Sequence, residues 1–584
     1  MFWRFLLLGL IFVGNLWQEV LGANILILEG LASPSHHVFI RVINEALAAQ
    51  GHNVTSIGAD VEAKPVANLT YLHNDKVYEH LYSGSEDWNI MDFSSAGTIG
   101  TIKSVEEYHL NMLDGIRKSA GYHQLLAYPD DFHFDLVIYD FMAMPVLLGF
   151  QHKFHNPPLI GISPSFGLGF TINVVGSSFY PSYIPFYFGI DYQENFCGKV
   201  KNFFFYFYEY FHRKYVALPK IYSIIKDDFP GLPALDELEL QTLLALVNYS
   251  PAVHDPEPML PNVVPIGGLH IKQAKNLPEE YLKILNSASK GLILFSMGTN
   301  IKSRMLGEER IGKIIEAFKK LPQFIFLWKF EDENIPNLPE NVLVRKWMPQ
   351  NDILAHPNTK LFMSHCGLMS TLESSWHGVP ILALPVLLDQ FTNANQLVKT
   401  GVAERINLNS FTSDELQKVI LKMMSDTKYQ ENAKTRSRLF QDQPQTPLER
   451  ALWWINFVLR NPDVEFLQSK SRFLDVLTLH SVDVIAFYVI LVLIAVFILK
   501  KITSFLSIDY RFFCLVFFSS LIFINLLWLL LQLIIFIPKD IVNLFFNFSI
   551  LLRLTIFLLG IFIRLLAILH NFLHGPNFRD FFLL

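Results

Sequence analysis

Cysteine is scarce: Cys197, Cys366 and Cys514 are the three in 584 residues, and with Cys514 set in an apolar tail they form no readable disulfide framework. Long Lys/Arg runs are missing as well, and the formal net charge is -6. A phosphate backbone needs a basic face, so nucleic acid is excluded as a partner. Charged residues make up only 17% of the chain against 51% hydrophobic, and the apolar excess gathers at the two ends. Both ends therefore read as membrane-directed. A chain of this length is too long for one hydrophobic core, which predicts two large domains, extra segments and a cleft.

At the N-terminus Arg4 precedes the apolar run Phe5 to Val13, and Val20 and Gly22 supply small residues beyond it. This is the pattern of a secretory signal peptide cleaved after Gly22. A first transmembrane helix fits less well, because Asn15, Gln18 and Glu19 interrupt the run. Asn53, Asn68 and Asn248 each open an Asn-x-Ser/Thr triplet and read as N-glycosylation acceptors. Near the other end Val484 to Leu499 is a continuous apolar run closed by Lys500 and Lys501. The lysines fit a cytosolic exit, which puts the body of the protein in the lumen. Beyond them Phe512 to Ile537 and Val542 to Leu569, the latter broken by Arg553 and Arg564, read either as further spans or as translated AT-rich noncoding sequence.

Between the ends, buried-strand runs alternate with helical periods. Asn24 to Glu29 is followed by a loop at Ser33 to Ser35, a helix over Val38 to Ala49 and a strand at Val54 to Ile57. Phe134 to Tyr139 and Leu159 to Ser163 repeat the strand signal. The Phe- and Tyr-rich stretch from Phe166 to Phe211 has no clean period and reads as apolar helices and loops, bordering a pocket or packed as core. Prolines recur from Pro251 to Pro265, as in a linker, and a second series opens at Gly291 to Ser296. It continues with strands at Gln323 to Lys329, Val342 to Arg345, Lys360 to Ser364, Pro380 to Leu384 and Val402 to Ile406. Helices are predicted over Leu368 to Trp376, Asn393 to Thr400 and Ser413 to Met424. Alternation of this kind implies two parallel sheets, each wrapped by helices, with ligands beyond the carboxyl ends of the strands.

The densest chemical signal runs from Trp347 to Gln390. A strand ends in His365, Cys366 and Gly367 and a helix begins at once, so free backbone N–H groups and the positive end of a dipole are available to a diphosphate. His365 and Ser370 add donors, and Glu373, about one turn on, can hold two ribose hydroxyls. Trp347 offers a flat face for a base and Gln350 an amide for uracil, while Asp389 and Gln390 lie where they can grip sugar hydroxyls. Taken singly each has a plain structural reading: Trp347 as core, Glu373 as solvated helix face, His365 as a satisfied strand-end histidine.

Together these residues resemble the signature of the UDP-glycosyltransferase family, enzymes that conjugate glucose or glucuronic acid to lipophilic small molecules in detoxification. The resemblance implies that Trp347, Gln350, His365, Gly367, Ser370, Glu373, Asp389 and Gln390 contact the nucleotide sugar. Cys366 stands where many animal members have Gly. Phe295 to Thr299 is similar to the family's diphosphate-side loop, with Ser296 and Gly298 bordering the cleft. Ser33 to His37, Gly51 to Thr55 and Pro261 to His270 resemble insect members. By position His36 then matches the catalytic base and Asp140 its partner: a neutral imidazole takes a proton from the acceptor hydroxyl and the carboxylate fixes its tautomer. The adjacent His37 is the rival base, which residues alone do not exclude; the spacing to Gly51 in the family pattern favours His36.

The implied fold is α/β of the GT-B kind, two facing Rossmann-like doubly wound domains, with a C-terminal transmembrane helix. Its expected parts are a signal peptide (1–22), an acceptor-binding domain (23–255), a linker (256–290) and a UDP-sugar-binding domain (291–455). Closing helices (456–482), a membrane anchor (483–501) and an atypical hydrophobic tail (502–584) follow. The implied reaction is inverting and needs no metal or tightly bound cofactor; no Asp-x-Asp pair occurs in the chain. UDP-glucose is favoured over UDP-glucuronate. The expected location is the endoplasmic reticulum membrane, single-pass type I with lumenal domains, and a homo-oligomer is left open. Rival readings are a polytopic transporter, for which the tail supplies few polar groups, and a catalytically silent UDP-sugar binder, against which His36 and Asp140 speak.

Overall fold

The computed structural model describes residues 22–82, 97–165, 173–188, 195–332, 335–462, 465–505 and 519. The chain forms two units, Met1–Asp475 and Val476–Leu584. The first unit holds two parallel sheets. Strands β1 (Asn24–Leu28), β2 (Asn53–Gly58), β3 (Leu69–His73), β4 (Leu136–Asp140), β5 (Leu159–Ser163), β6 (Thr242–Val247) and β7 (Val263–Pro265) line up in the order β3-β2-β1-β4-β5-β6-β7. The second sheet takes β8 (Leu292–Ser296), β9 (Ile325–Lys329), β10 (Val342–Arg345), β11 (Thr359–Ser364), β12 (Ile381–Ala383) and β13 (Ala403–Arg405) in the order β10-β9-β8-β11-β12-β13.

Both sheets are doubly wound. Chain order reverses between β1 and β4 in one and between β8 and β11 in the other. At such a switch point the connections leave in opposite directions, opening a crevice beyond the carboxyl ends of the two central strands. Those strands are apolar almost throughout because helices cover both faces. Leu136 to Asp140 is buried at every position. One core packs Phe39, Ile40, Ile43 and Leu47 of the helix Pro34–Ala49 on Ile25, Ile27, Leu136 and Ile138. Ala451, Ile455 and Val458 of the helix Pro447–Arg460 join the same core, so a helix that follows the second sheet closes on the first. Thr446 and Glu449 start it with a reciprocal capping box. Beneath the second sheet Phe295 stacks on Trp328 at 4.9 Å and Phe318 on Phe326 at 3.8 Å.

Several expectations need correction. The proline-recurrent stretch expected as linker contains β7, which pairs with β6 at the sheet edge, where Pro265 forgoes no ladder donor that an inner strand would need. The expected strands omit β3 and β6, and the expected helices omit the long Gly97–Arg117. The helix expected from Val38 begins at Pro34, inside the loop expected over Ser33 to Ser35, because proline fits the first helical turn; His36 and His37 thus sit in that first turn. Likewise the helix expected from Asn393 begins at Asp389. The aromatic stretch contains the helix Phe196–His212, capped by Asn195. Asn248 is no glycan acceptor in this fold: it is fully buried, its amide donates to Pro164 O at 2.7 Å and its carbonyl accepts from Gly268 N at 3.0 Å. Asn53 and Asn68 are exposed.

In the second unit the helix Val482–Phe505 includes the apolar span Val482–Ile502, long enough to cross a membrane. Lys500 and Lys501 lie inside this helix rather than after its end. The signal-peptide segment 1–21 and nearly all of the hydrophobic tail lie outside the described residues.

Candidate active site

His36 and Asp140 flank the first switch point, one on the helix that follows β1 and the other closing β4. The His36 Nδ1–H donates to Asp140 Oδ2 at 2.6 Å, and Asp140 Oδ1 accepts from the Met142 N–H at 3.1 Å. Spending the Nδ1 proton on the carboxylate leaves Nε2 with a lone pair. His37 is held differently. Its Nδ1 meets Glu29 Oε2 at 2.9 Å and its Nε2 faces Glu62 Oε1 at 3.4 Å. Burial lowers the His37 pKa, but the hydrogen bond and charge of Glu29, with Asp60 and Glu62, outweigh it and raise it. Asn44 and Ser56 complete the cluster by donating to Glu29 Oε1.

The second switch point carries the other group. Ser296 ends β8, and its Oγ accepts from the Gly298 N–H at 3.2 Å. His365 follows β11 and lies between two glycines: a Cβ on Gly298 would come within 2.6 Å of its Cε1, and one on Gly367 within 2.5 Å of its Nε2. Burial pushes the His365 pKa down to about 4, with the Lys329 charge adding to it, so the ring is neutral. Its Nδ1 is buried without a hydrogen-bond partner. Cys366 has φ 65°, a left-handed conformation that favours glycine, and it is fully buried. The residue that departs from glycine thus occupies a glycine conformation, with its N–H tied to Ser364 Oγ at 3.1 Å.

The helix Leu368–His377 starts at Gly367 with no side-chain cap. Gln350 donates to Ser370 Oγ at 3.1 Å and to Glu373 Oε2 at 2.6 Å, so three of the expected nucleotide-binding residues form one network. Trp347 is 70% exposed, which rules out the plain core reading and leaves its indole face open. Asp389 accepts from Asn393 at 2.8 Å, and it lies within electrostatic reach of His36. Gln390 spends its carbonyl on the N–H groups of Val386 and Leu387, at 2.9 and 3.1 Å, so only its amide nitrogen remains for a ligand.

Burial pushes the Glu373 carboxyl up to about 7 and that of Asp389 up to about 6. Below those values the groups are neutral and accept hydroxyl protons more weakly. Affinity for a hydroxyl-bearing donor at Glu373 is therefore expected to rise as the carboxyl ionises, between about pH 5.5 and 8. Glu373→Gln should remove the upper part of that rise. Glu373→Ala should cost about 1.5–3 kcal/mol of nucleotide-sugar affinity, the range for hydrogen bonds to a charged group. Titration calorimetry with UDP checks both; an unchanged constant for the donor with a weakened acceptor would assign Glu373 to the other substrate.

Some neighbours were not legible in sequence. Lys329, at the end of β9, donates to Gly298 O at 2.5 Å. Asn300 bonds Ser33 Oγ at 3.0 Å and ties the two crevices together. His270 donates from Nε2 to Met369 O at 3.2 Å and stands 3.9 Å from Glu373. His109, whose pKa burial lowers to about 4, feels the charges of Asp140 and His36. Two of them had a signal: Lys329 as the end of a predicted strand, and His270 in the run Pro261 to His270.

The family of UDP-glucoronosyl and UDP-glucosyl transferases matches residues 26–514. UDP-glucosyltransferase 2 of Dactylopius coccus is 33% identical over 496 residues, covering 82% of this chain and 92% of its own length. UDP-glucuronosyltransferase 2B13 of Oryctolagus cuniculus is 30% identical over 492 residues, covering 80% and 90%. Among solved structures the calicheamicin glycosyltransferase CalG4 aligns with 76% of this chain and 99% of its own at 13% identity and a TM-score of 0.49. With two doubly wound sheets and a family match across both of them, this chain belongs to the UDP-glucoronosyl and UDP-glucosyl transferase family and is a UDP-glycosyltransferase of the GT-B class.

Proposed function

We propose that the protein transfers glucose from UDP-glucose to a hydroxyl of a small lipophilic acceptor, with His36 as general base and Asp140 as its partner. The observation that carries this reading is the 2.6 Å bond from His36 Nδ1 to Asp140, which leaves Nε2 free to accept a proton. As Nε2 takes the hydroxyl proton, the acceptor oxygen attacks the anomeric carbon from the face opposite UDP. The bond to the UDP oxygen breaks, with inversion and no covalent enzyme intermediate. Asp140 stabilises the imidazolium, and the uncapped N-terminus of Leu368–His377, with His365 and Ser296, takes the charge that develops on the diphosphate. Trp347 stacks on uracil and the Gln350 carbonyl, left over from its amide bonds, accepts the uracil N–H. Glu373 and Ser370 hold the ribose, while Asp389 and the Gln390 amide hold the sugar.

The glucosyl choice leans on the resemblance to the Dactylopius coccus enzyme, whose name specifies glucose; glucuronate is the second reading, from the rabbit relative. The signal-peptide pattern and the Val482–Ile502 span support a lumenal body anchored in the endoplasmic reticulum membrane. Microsomes carrying the protein are expected to glucosylate a phenol panel from UDP-glucose and to leave UDP-glucuronate largely unused. Conjugation from UDP-glucuronate alone would overturn the donor, and conjugation from neither would overturn the acceptor class. In sealed microsomes the body should resist protease until detergent is added, and a glycosidase should shift its mass through Asn53 or Asn68. A body digested without detergent would place it in the cytosol.

A further inference from the structure

Ser33 stands at the N-cap of the helix Pro34–Ala49 in extended backbone, φ -152° and ψ 115°, yet its hydroxyl makes no cap bond. A serine there normally accepts from the second or third N–H of the first turn, which here belong to Ser35 and to His36 itself. The hydroxyl is engaged elsewhere. Asn300, in the loop that follows β8, turns its whole amide to it: Nδ2–H donates to Ser33 Oγ at 3.0 Å, and Oδ1 lies 3.3 Å from the same oxygen. Ser35 Oγ stands 2.9 Å from Ser33 Oγ. Ser33 is buried, whereas Asn300 is exposed. The loop that carries Asn300 is held at both feet by one residue. Lys329 donates from Nζ to Gly298 O at 2.5 Å, and its carbonyl accepts from Ser303 Oγ at 2.8 Å. Trp328 Nε1–H donates to the same Ser303 Oγ at 3.3 Å. Gly298, at the first foot, lies against the His365 ring. Lys302 stands 5.9 Å from the centre of the Tyr82 ring, a second contact between this loop and the elements of the first sheet.

We propose that Asn300 is a positioning residue: it draws the Ser33 hydroxyl away from the helix cap, ties it to the stiff loop beside the donor site, and so sets where His36 stands relative to the sugar. The inference rests on the reading of His36 as the base. One hydroxyl has two competing uses. As a cap it would satisfy an N–H of the first turn, at Ser35 or at His36, and anchor that turn within its own helix. Bonded to Asn300, it registers the same turn on the loop that borders the diphosphate. A general base acts over a narrow range of distances, so this registration matters more to the rate than to the binding of either substrate. Stability is a poor reason for the bond. A neutral hydrogen bond to an exposed amide replaces one to water and contributes little net, whereas the cap it displaces is among the more stabilising local contacts of a helix. A local device given up in the turn that carries the base is what a trade of stability for geometry leaves behind.

The test compares full-length Asn300→Ala, Ser33→Ala, the double variant and His36→Ala with wild type, using UDP-glucose and a phenol. Asn300→Ala is expected to lower the single-turnover rate roughly 10- to 100-fold, the scale of a misplacement of about 1 Å, with UDP affinity and both Michaelis constants within about twofold of wild type. The released Ser33 hydroxyl then caps the first turn, so Asn300→Ala should melt no lower than wild type. Ser33→Ala should lose as much rate and melt below both, having neither bond. The double variant should lose no more rate than either single one, because both act through one contact. Asn300→Asp, which still accepts from the Ser33 O–H, should recover part of the rate. Near-normal turnover in Asn300→Ala beside an inactive His36→Ala would overturn the inference and leave the base in place. Near-normal turnover in His36→Ala would instead overturn the reading of the base, and the inference with it. A raised Michaelis constant for UDP-glucose at unchanged UDP affinity would make Asn300 a ligand of the sugar. A lowered melting temperature with weakened UDP binding would make it a structural tie of the loop. Either of these results overturns the positioning role.

Discussion

His36→Ala is expected to lower the turnover number by roughly two to four orders of magnitude, the usual contribution of a positioned general base, while leaving UDP binding within about twofold. The proposed donor contacts lie at the second switch point and do not use His36, so the loss should fall on chemistry rather than on donor affinity. Asp140→Asn is expected to fall in the same range. An asparagine can offer its N–H to Nδ1, which moves the ring proton to Nε2 and removes the lone pair. His37→Ala separates the two histidines. Its imidazole is one of three partners of the buried Glu29 carboxylate, at 2.9 Å beside Asn44 and Ser56, so its loss should cost stability, about 1–3 kcal/mol for one lost partner of a buried polar group. Activity per folded molecule should persist. Single-turnover kinetics with a phenol, alongside thermal melts, distinguish these outcomes. Near-normal turnover in His36→Ala with an inactive but folded His37→Ala would reverse the assignment.

The pairing of His36 with Asp140 illustrates what a sequence can carry and what it cannot. Both residues follow strands whose apolar runs are plain in the chain, so their meeting at a switch point was within reach. The choice between His36 and His37 was not. Neighbours on a helix diverge by about 100°, and only the coordinates place His37 against Glu29 and Glu62. Strand positions in the second sheet were legible because those runs are short, apolar and separated by clear helical periods. β3, with the pattern L-T-Y-L-H, lies at the sheet edge and keeps exposed polar positions, so no buried run marks it. β6 has an apolar run, T-L-L-A-L-V, but it follows directly on the leucine-spaced helix Leu235–Glu239, so no break in the apolar pattern marks where the strand begins. Asn248 fails as a glycan acceptor for a general reason: a triplet records local sequence, whereas burial of its amide depends on Pro164 and Gly268, residues distant in the chain. The helix Phe196–His212 has no clean period because Phe196, Phe203 and Phe204 are exposed while Asn202 and Glu209 are buried.

The glycines around His365 allow strain and collision to be told apart, and they carry the largest expected loss of donor affinity. Gly298 has φ 87°, and a Cβ there would stand 2.6 Å from the His365 ring, so Gly298→Ala combines backbone strain with a clash. At Gly367, in ordinary backbone conformation, alanine brings the clash alone, at 2.5 Å from Nε2. Gly307 has φ 79° and ψ 155°, a region essentially restricted to glycine, with open space around its would-be Cβ, so Gly307→Ala brings strain alone, about 1–3 kcal/mol of stability. Moving His365 aside should forfeit a hydrogen bond to a charged diphosphate, about 1.5–3 kcal/mol, or roughly 10- to 150-fold in UDP affinity. Gly298→Ala should lose more than this, because its carbonyl is also what Lys329 holds. The expected order of UDP affinities is wild type equal to Gly307→Ala, then Gly367→Ala, then Gly298→Ala, with melting temperatures following a different order in which Gly307→Ala is also lowered. Calorimetric titration with UDP and thermal melts on the four proteins give both orders. Equal UDP affinity in wild type and Gly367→Ala would mean that His365 does not touch the diphosphate, and the donor site would then have to be rebuilt around Ser296 and the start of the helix Leu368–His377.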